Sequence, residues 1–194
     1  MRMAPCRAAS LVAVTGVIAL GRAAAQPVTP APLVRSEITF LVHSTIVGGI
    51  HCWVPVTRAE FTGDDLRAVR GLVEVRVADM QTGNGTRDRH LRRAMQADSY
   101  PAIRFELLGV EPGAASGDTV AVSLEGRLTI HGVTRPVRAD ASVVLRPVGA
   151  DVVTTFPLDM RDYRIKPPVR ALVLRVSPDV MVTARLSFGP TPPP

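Results

Sequence analysis

Apolar residues recur at every second position through most of this chain. Ile38, Phe40 and Val42 share one face of the segment Glu37 to His43. Val73, Val75 and Val77 alternate with Glu74, Arg76 and Ala78, and Ile103, Phe105 and Leu107 with Arg104, Glu106 and Leu108. The longest run, Thr119 to His131, sets Val120, Val122, Leu124, Gly126, Leu128 and Ile130 against Thr119, Ser123, Glu125, Arg127, Thr129 and His131. Similar runs follow from Val137 to Leu145, from Val152 to Leu158 and from Val180 to Phe188. Side chains of a strand alternate between faces, so this period predicts seven or eight long strands, each apolar on one face. Strands of that kind form an antiparallel sheet, which must close on itself to cover its apolar side. Their length favours a barrel over a short sandwich. Turns are predicted at Pro112 to Asp118, at His131-Gly132 and at Val148-Gly149-Ala150. One helical pattern interrupts the strands, from Thr86 to Gln96, with Leu91 and Met95 four residues apart. The expected fold is therefore all-β, an antiparallel barrel of about eight strands with one short helix.

The ends of the chain leave this pattern. Met1 to Arg7 is basic, Ala8 to Gly21 is an apolar run, and Ala23-Ala24-Ala25 is a small-residue cleavage site. This order predicts a secretory signal peptide over Met1 to Ala25, because the apolar run is short for a membrane helix. Cys6 precedes that run and is misplaced for lipidation. Residues 26–35 read as a proline-rich linker, 36–189 as the barrel domain and 190–194 as a proline tail. The expected location is periplasmic or secreted. The whole chain of 194 residues carries a net charge of +6. Losing Arg2, Arg7 and Arg22 with the leader leaves 20 basic against 17 acidic residues, a net +3. The arginines are interleaved with acids and form no block, which argues against nucleic acid as a partner. Cys52 is the only cysteine beyond the leader, so the core and not a disulfide must hold the fold.

The segment Thr82 to Leu91 concentrates the polar chemistry. Gly83-Asn84-Gly85 reads as a left-handed turn, and Asn84 is the chain's only asparagine. Thr86 is expected to cap the helix, with Asp88 in the first turn where the helix dipole favours an acid. This describes a capped helix plugging one barrel end. It also allows Arg87, Asp88 and His90 to form a polar rim for the head group of an amphiphile. His131 closes a strand on its polar face and is expected to be exposed or bonded within the turn. His43, His51 and Cys52 do not show metal-site spacing, and His51 and Cys52 point to opposite faces if their segment is a strand. Asp88 and His90 are two apart on a helix and do not face each other, and no nucleophile motif is present. No catalytic residue and no metal ligand is assigned.

Three motifs stand in a fixed order. Thr82-Gly83-Asn84 leads into Arg87-Asp88-Arg89-His90-Leu91. Tyr100-Pro101-Ala102-Ile103-Arg104-Phe105 follows, and Gly126 to Pro136 runs on as GRLTIHGVTRP. Together they resemble the YceI-like family of secreted bacterial proteins, from about Ser36 to Phe188. Two features depart from that family: Arg93 to Asp98 lacks a Phe pair, and His51-Cys52-Trp53-Val54-Pro55 replaces a glycine-rich approach to Phe61-Thr62-Gly63. The resemblance implies a lipocalin-like barrel and a binding protein, not an enzyme. Its ligand would be a polyisoprenoid or isoprenoid quinone, with no other cofactor. Phe40, Val75, Phe105, Leu107, Val122, Leu124, Leu128 and Phe156 are the expected apolar interior that meets this lipid. The alternative is a structural or stress-response interaction protein whose barrel is filled by its own side chains. A homodimer and a membrane-protein partner are left open by the sequence.

The leader reading has a direct check. Protein recovered from the periplasm or medium should have the intact mass of a chain beginning at Gln26. A mass that includes Met1 to Ala25 would refute it.

Overall fold

The structure is a computed structural model that describes residues 31–45, 48–63, 65–166, 169–170 and 174–190. The expected signal peptide, half of the linker (26–30) and the tail beyond Pro190 lie outside the described residues. The described residues form ten strands: β1 (Leu33–Ser44), β2 (Gly48–Val54), β3 (Val56–Thr62), β4 (Arg70–Arg76), β5 (Ala102–Ser116), β6 (Thr119–Ile130), β7 (Val133–Leu145), β8 (Ala150–Asp159), β9 (Val169–Arg170) and β10 (Leu174–Phe188). A single α-helix among the described residues, α1, spans Gly85–Ala94. Short 3-10 turns cover Val77–Asp79 and Met160–Tyr163.

All ladders are antiparallel, in the order β2-β1-β10-β8-β7-β6-β5-β4-β3, with β9 paired only to β10. The sheet curls into a half-barrel. Its two edges, β2 and β3, do not pair with each other but follow one another around Pro55. A proline has no N–H to give a ladder, so one strand ends there and the next takes a new partner. Val54 pairs with Ile38 of β1, whereas Val56 pairs with Val75 of β4. Trp53 and Gln81 exchange two backbone hydrogen bonds of 2.9 Å across the changeover.

Three details refine the expectations. Among the described residues there are ten strands, the two-residue β9 included, beside the seven or eight long ones expected, because β2 opens on Gly48-Gly49 and β3 alternates loosely, which hides both from the period-2 signal. Pro112 is not in a turn: β5 runs through it to Ser116, with a register shift between Pro112 and Ala115, and the turn falls on Gly117, φ +58°. β1 begins at Leu33, inside the expected linker. The turn at His131-Gly132 stands as expected, with φ +51° and +73°, the pair of positive values a two-residue hairpin requires. A Cβ on Gly132 would lie 2.7 Å from the Tyr100 ring, so glycine is needed twice over.

The interior has two ends. At one, the 3-10 turns and the segment after α1 pack Val77, Met80, Met95, Tyr163 and Ile165 against Cys52, Val54 and Ile130, all buried. At the other lie the turns 65–69, 117–118 and 146–149. The Gly189 N–H donates to the Pro32 carbonyl there (3.1 Å), so both ends of the described chain meet at that end. The outer wall of β4 to β7 is laced with ion pairs, among them Arg104–Glu74 and Arg138–Glu111, each 2.6 Å. Such exposed pairs contribute little to stability, so the apolar interior carries the fold.

Val122 and Glu125 occupy opposite faces of β6, one buried and one exposed. Val122→Asp should destabilise by several kcal/mol, because it buries an unpaired carboxylate. Glu125→Ala should change stability by about 0.5 kcal/mol or less. Equal shifts in denaturant melts would contradict the facing.

Candidate ligand cavity

The strands leave the upper interior unfilled. A cavity of about 770 Å³ runs from the turns 65–69 and 146–149 down to the closed end. Its wall residues Phe40, Phe105, Phe156, Leu158, Ala184 and Leu186 point inward, yet each remains partly exposed. In an ordinary core they would be covered by neighbours; here they face empty space. The Phe105 ring crosses over β6 at Gly126, where a Cβ would stand 2.6 Å from it. Phe61 and Phe188 meet edge to face near the mouth, with centroids 5.0 Å apart.

Polar side chains are nearly excluded from the wall. Among the lining residues only Thr154, Asp65 and Arg146 carry one. The Thr154 hydroxyl donates to the Asp140 carbonyl (2.8 Å) and is thereby satisfied. Asp65 and Arg146 both sit on turns at the mouth. The Asp65 carboxylate accepts from the N–H groups of Arg67 (2.6 Å) and Ala68 (3.0 Å), shaping its own turn. Arg146 pairs with Asp151. Hydrogen bonds from Ser187 and then Arg146 hold the Asp151 carboxyl below its ordinary value. The site is thus an apolar sleeve with one charged pair and one turn-bound acid at its open end.

Of the expected interior residues, Phe40, Val75, Phe105, Leu107, Leu124, Leu128 and Phe156 line the cavity. Val122 does not line it. It is buried against Leu107, Val110, Ala141 and Val143 in a second packed cluster. The expected rim of Arg87, Asp88 and His90 is not at the mouth either: all three belong to α1, at the closed end, and none lines the cavity. The sequence places Leu145 at the end of an apolar run and Val148 in a turn but assigns neither to a site, and it does not single out Leu66, Val69 or Arg146. The signal that Leu66, Val69 and Val148 offer is that they are apolar residues in turns, where polar ones are usual.

The motif around α1 instead locks the closed end. Asn84, not Thr86, is the N-cap: its side-chain oxygen accepts from the N–H groups of Thr86 and Arg87, both 3.1 Å. Asn84 is extended, φ −141°, and the left-handed position is Gly83, φ +72°. The Asp88 carboxylate accepts from the Thr82 hydroxyl (2.6 Å) and N–H (2.9 Å), while the Arg87 guanidinium donates to the Thr82 carbonyl (3.1 Å). These bonds tie the helix to the chain before it and hold Asp88 below the usual carboxylate range, the Thr82 hydroxyl contributing most.

The remaining candidates carry no chemistry here. His131, expected to be exposed or bonded within the turn, is instead buried in the positive-φ turn with its ring tilted against Tyr100, centroids 4.3 Å apart. Cys52 is buried while His51 is exposed, and burial pushes the Cys52 thiol up to about 12. No group of three or more His, Cys, Asp or Glu among the described residues is placed to hold a metal ion.

Comparison with known proteins places this geometry. The YceI-like domain model matches residues 32–188. A crystal structure of Burkholderia cenocepacia BcnA superimposes with a TM-score of 0.69 at 15% identity, over 81% of this chain and 98% of that one. A polyisoprenoid binding domain from Saccharophagus degradans, described as implicated in plant cell wall breakdown, gives 0.65 at 14%, over 85% and 100%. The Campylobacter jejuni YCEI protein gives 0.56 at 18%, over 71% and 84%. At these identities the likeness establishes the fold. No curated protein matches the chain by sequence.

Because the Asp88 pKa is lowered in the folded state, its stabilisation is complete above the unfolded carboxylate pKa of about 3.9 and is lost as pH falls through the lowered value. Asp88→Asn should therefore be less stable than the parent at neutral pH, and the gap should close in acid. A gap that stays constant from pH 7 to pH 2 would remove the Thr82–Asp88 lock.

Proposed function

The chain belongs to the YceI-like family, and from that premise we propose that it is a periplasmic or secreted binding protein that holds a long apolar ligand, a polyisoprenoid or isoprenoid quinone, inside the barrel. The observation that carries this reading is the cavity of about 770 Å³ whose polar groups are confined to the mouth, apart from a satisfied threonine. The likeness to a polyisoprenoid binding domain supports the same ligand class. A filled barrel, the alternative, would have needed an interior without this space.

Volume sets the scale of the ligand. If a methylene takes up about the 30 Å³ of a water in the liquid, the cavity holds roughly 25 carbons, or about five isoprene units. Longer chains extend through the mouth. Each methylene moved out of water contributes about 0.8 kcal/mol, part of which is offset by ordering the chain. Binding then needs no polar contact in the sleeve, and the wall supplies none. The apolar character of that wall supports a binding role. The basic start, apolar run and alanine triplet of the first 25 residues support export. No described helix is long and apolar enough to cross a membrane.

Titration with prenols of increasing length tests this reading. Affinity should rise by about tenfold or more per isoprene unit until the cavity is full, near five units, and then level off. Ala184→Phe should weaken binding of the longer chains, because the added ring takes up ligand volume. Arg87→Ala, remote from the cavity, should leave affinity unchanged. Affinity independent of chain length, or lost with Arg87 and untouched at Ala184, would overturn the proposal.

A further inference from the structure

The mouth differs from the rest of the outer surface. Val148 is 60% exposed and Leu145 41%, and both also line the cavity. Val34, 40% exposed, sits at the same end, where β1 bulges against β10. Three of the seven large exposed apolar residues among those described thus gather around one opening. Arginines surround them. Arg35, Arg67 and Arg70 are exposed and make no ion pair among the described residues. Arg70 donates to the carbonyls of Arg67 (3.1 Å) and Val69 (2.8 Å), neither of which carries a formal charge. Of the described acids nearby, Asp151 is paired with Arg146, Glu106 with Arg127, Glu60 with Arg58 and Glu37 with Arg185, and Asp65 is bonded to its own turn, leaving Asp118. Further along the outer wall of β5 to β7 the balance differs, since Arg104, Arg127 and Arg138 are matched by Glu74, Glu106, Glu111 and Glu125.

We propose that the open end of the barrel docks on an anionic lipid bilayer, with Leu145, Val148 and Val34 entering the interface and Arg35, Arg67 and Arg70 meeting the lipid phosphates. Shallow apolar insertion combined with basic residues is what holds a protein at a membrane surface. The inference rests on the ligand reading above: a prenyl chain resides in bilayers, and a docked mouth lets it pass between membrane and cavity without crossing water. The apolar rim is continuous with the cavity wall, so the docking surface and the passage are one feature.

Flotation of the purified protein with phosphatidylethanolamine–phosphatidylglycerol vesicles tests this, with phosphatidylcholine vesicles as the uncharged comparison. The parent should float with the anionic vesicles, less so at high salt and with the neutral ones. The Arg35→Gln, Arg67→Gln double variant should bind roughly thirtyfold more weakly. It should still take up a prenol from detergent micelles, which also shows that it is folded. Leu145→Asp and Val148→Asp should lose flotation, whereas Met181→Asp, an apolar position as exposed as Leu145 but outside the cavity lining, should keep it. The proposal is overturned if the parent ignores vesicles, or if all variants float alike. Self-association through Val148 without vesicle binding would also overturn it, by making the mouth a protein interface. Failure of the parent to take up prenol from micelles would sink the ligand reading; failure of flotation with uptake intact would sink this inference alone.

Discussion

A sheet that is apolar on one face has to hide that face, and the rest of this structure follows from how it does so. Ten strands wrap the apolar side inward, and the strand kinked at Pro55 brings the two edges together by changing partner from β1 to β4. Such a shell encloses a volume fixed by strand number and tilt, not by the side chains that happen to point into it. Whether the interior becomes a core or a container depends on the sizes of those side chains.

In this chain the answer differs between the two ends. Near α1 the interior is filled by methionines, Tyr163 and the branched residues around them, and the Thr82–Arg87–Asp88 bonds fasten the helix there. Toward the mouth the inward positions of β7 and β10 are Ala139, Val143, Val182, Ala184 and Leu186, too small to meet across the barrel. Aromatic residues make up only 4% of the chain, so few side chains are long enough to close the gap. The empty volume costs packing energy. A ligand of the same apolar character returns it, which is why a sleeve with hardly any polar group is a reasonable design for a long lipid.

Much of the shell was legible from period-2 alternation. β6 from Thr119 to Ile130 has the facing that the pattern predicts, and seven of the eight expected interior residues line the cavity. Alternation assigns a face but not a depth, which is why Val122 points inward yet is covered by Leu107 and Val143. It is also silent where glycines or prolines interrupt it, as at Gly48-Gly49 and Pro55, so β2 and β3 were not resolved. The polar motif misled in a different way. Asn84 tolerates left-handed backbone and also caps helices, and only the three-dimensional structure shows which property is used. Which turns surround the opening depends on strand register around the whole barrel, so the turn at Val148-Gly149-Ala150 was legible as a turn but not as part of a mouth, and Arg87, Asp88 and His90 were expected there although they belong to the opposite end.

Native mass spectrometry of the protein isolated from its own host, followed by organic extraction, tests the central claim most directly. The account predicts one non-covalent adduct per chain that passes into organic solvent and fragments in isoprene-unit steps. Protein that carries no extractable lipid and also takes up none when offered a prenol series would contradict it, as would an adduct that stays in the aqueous phase.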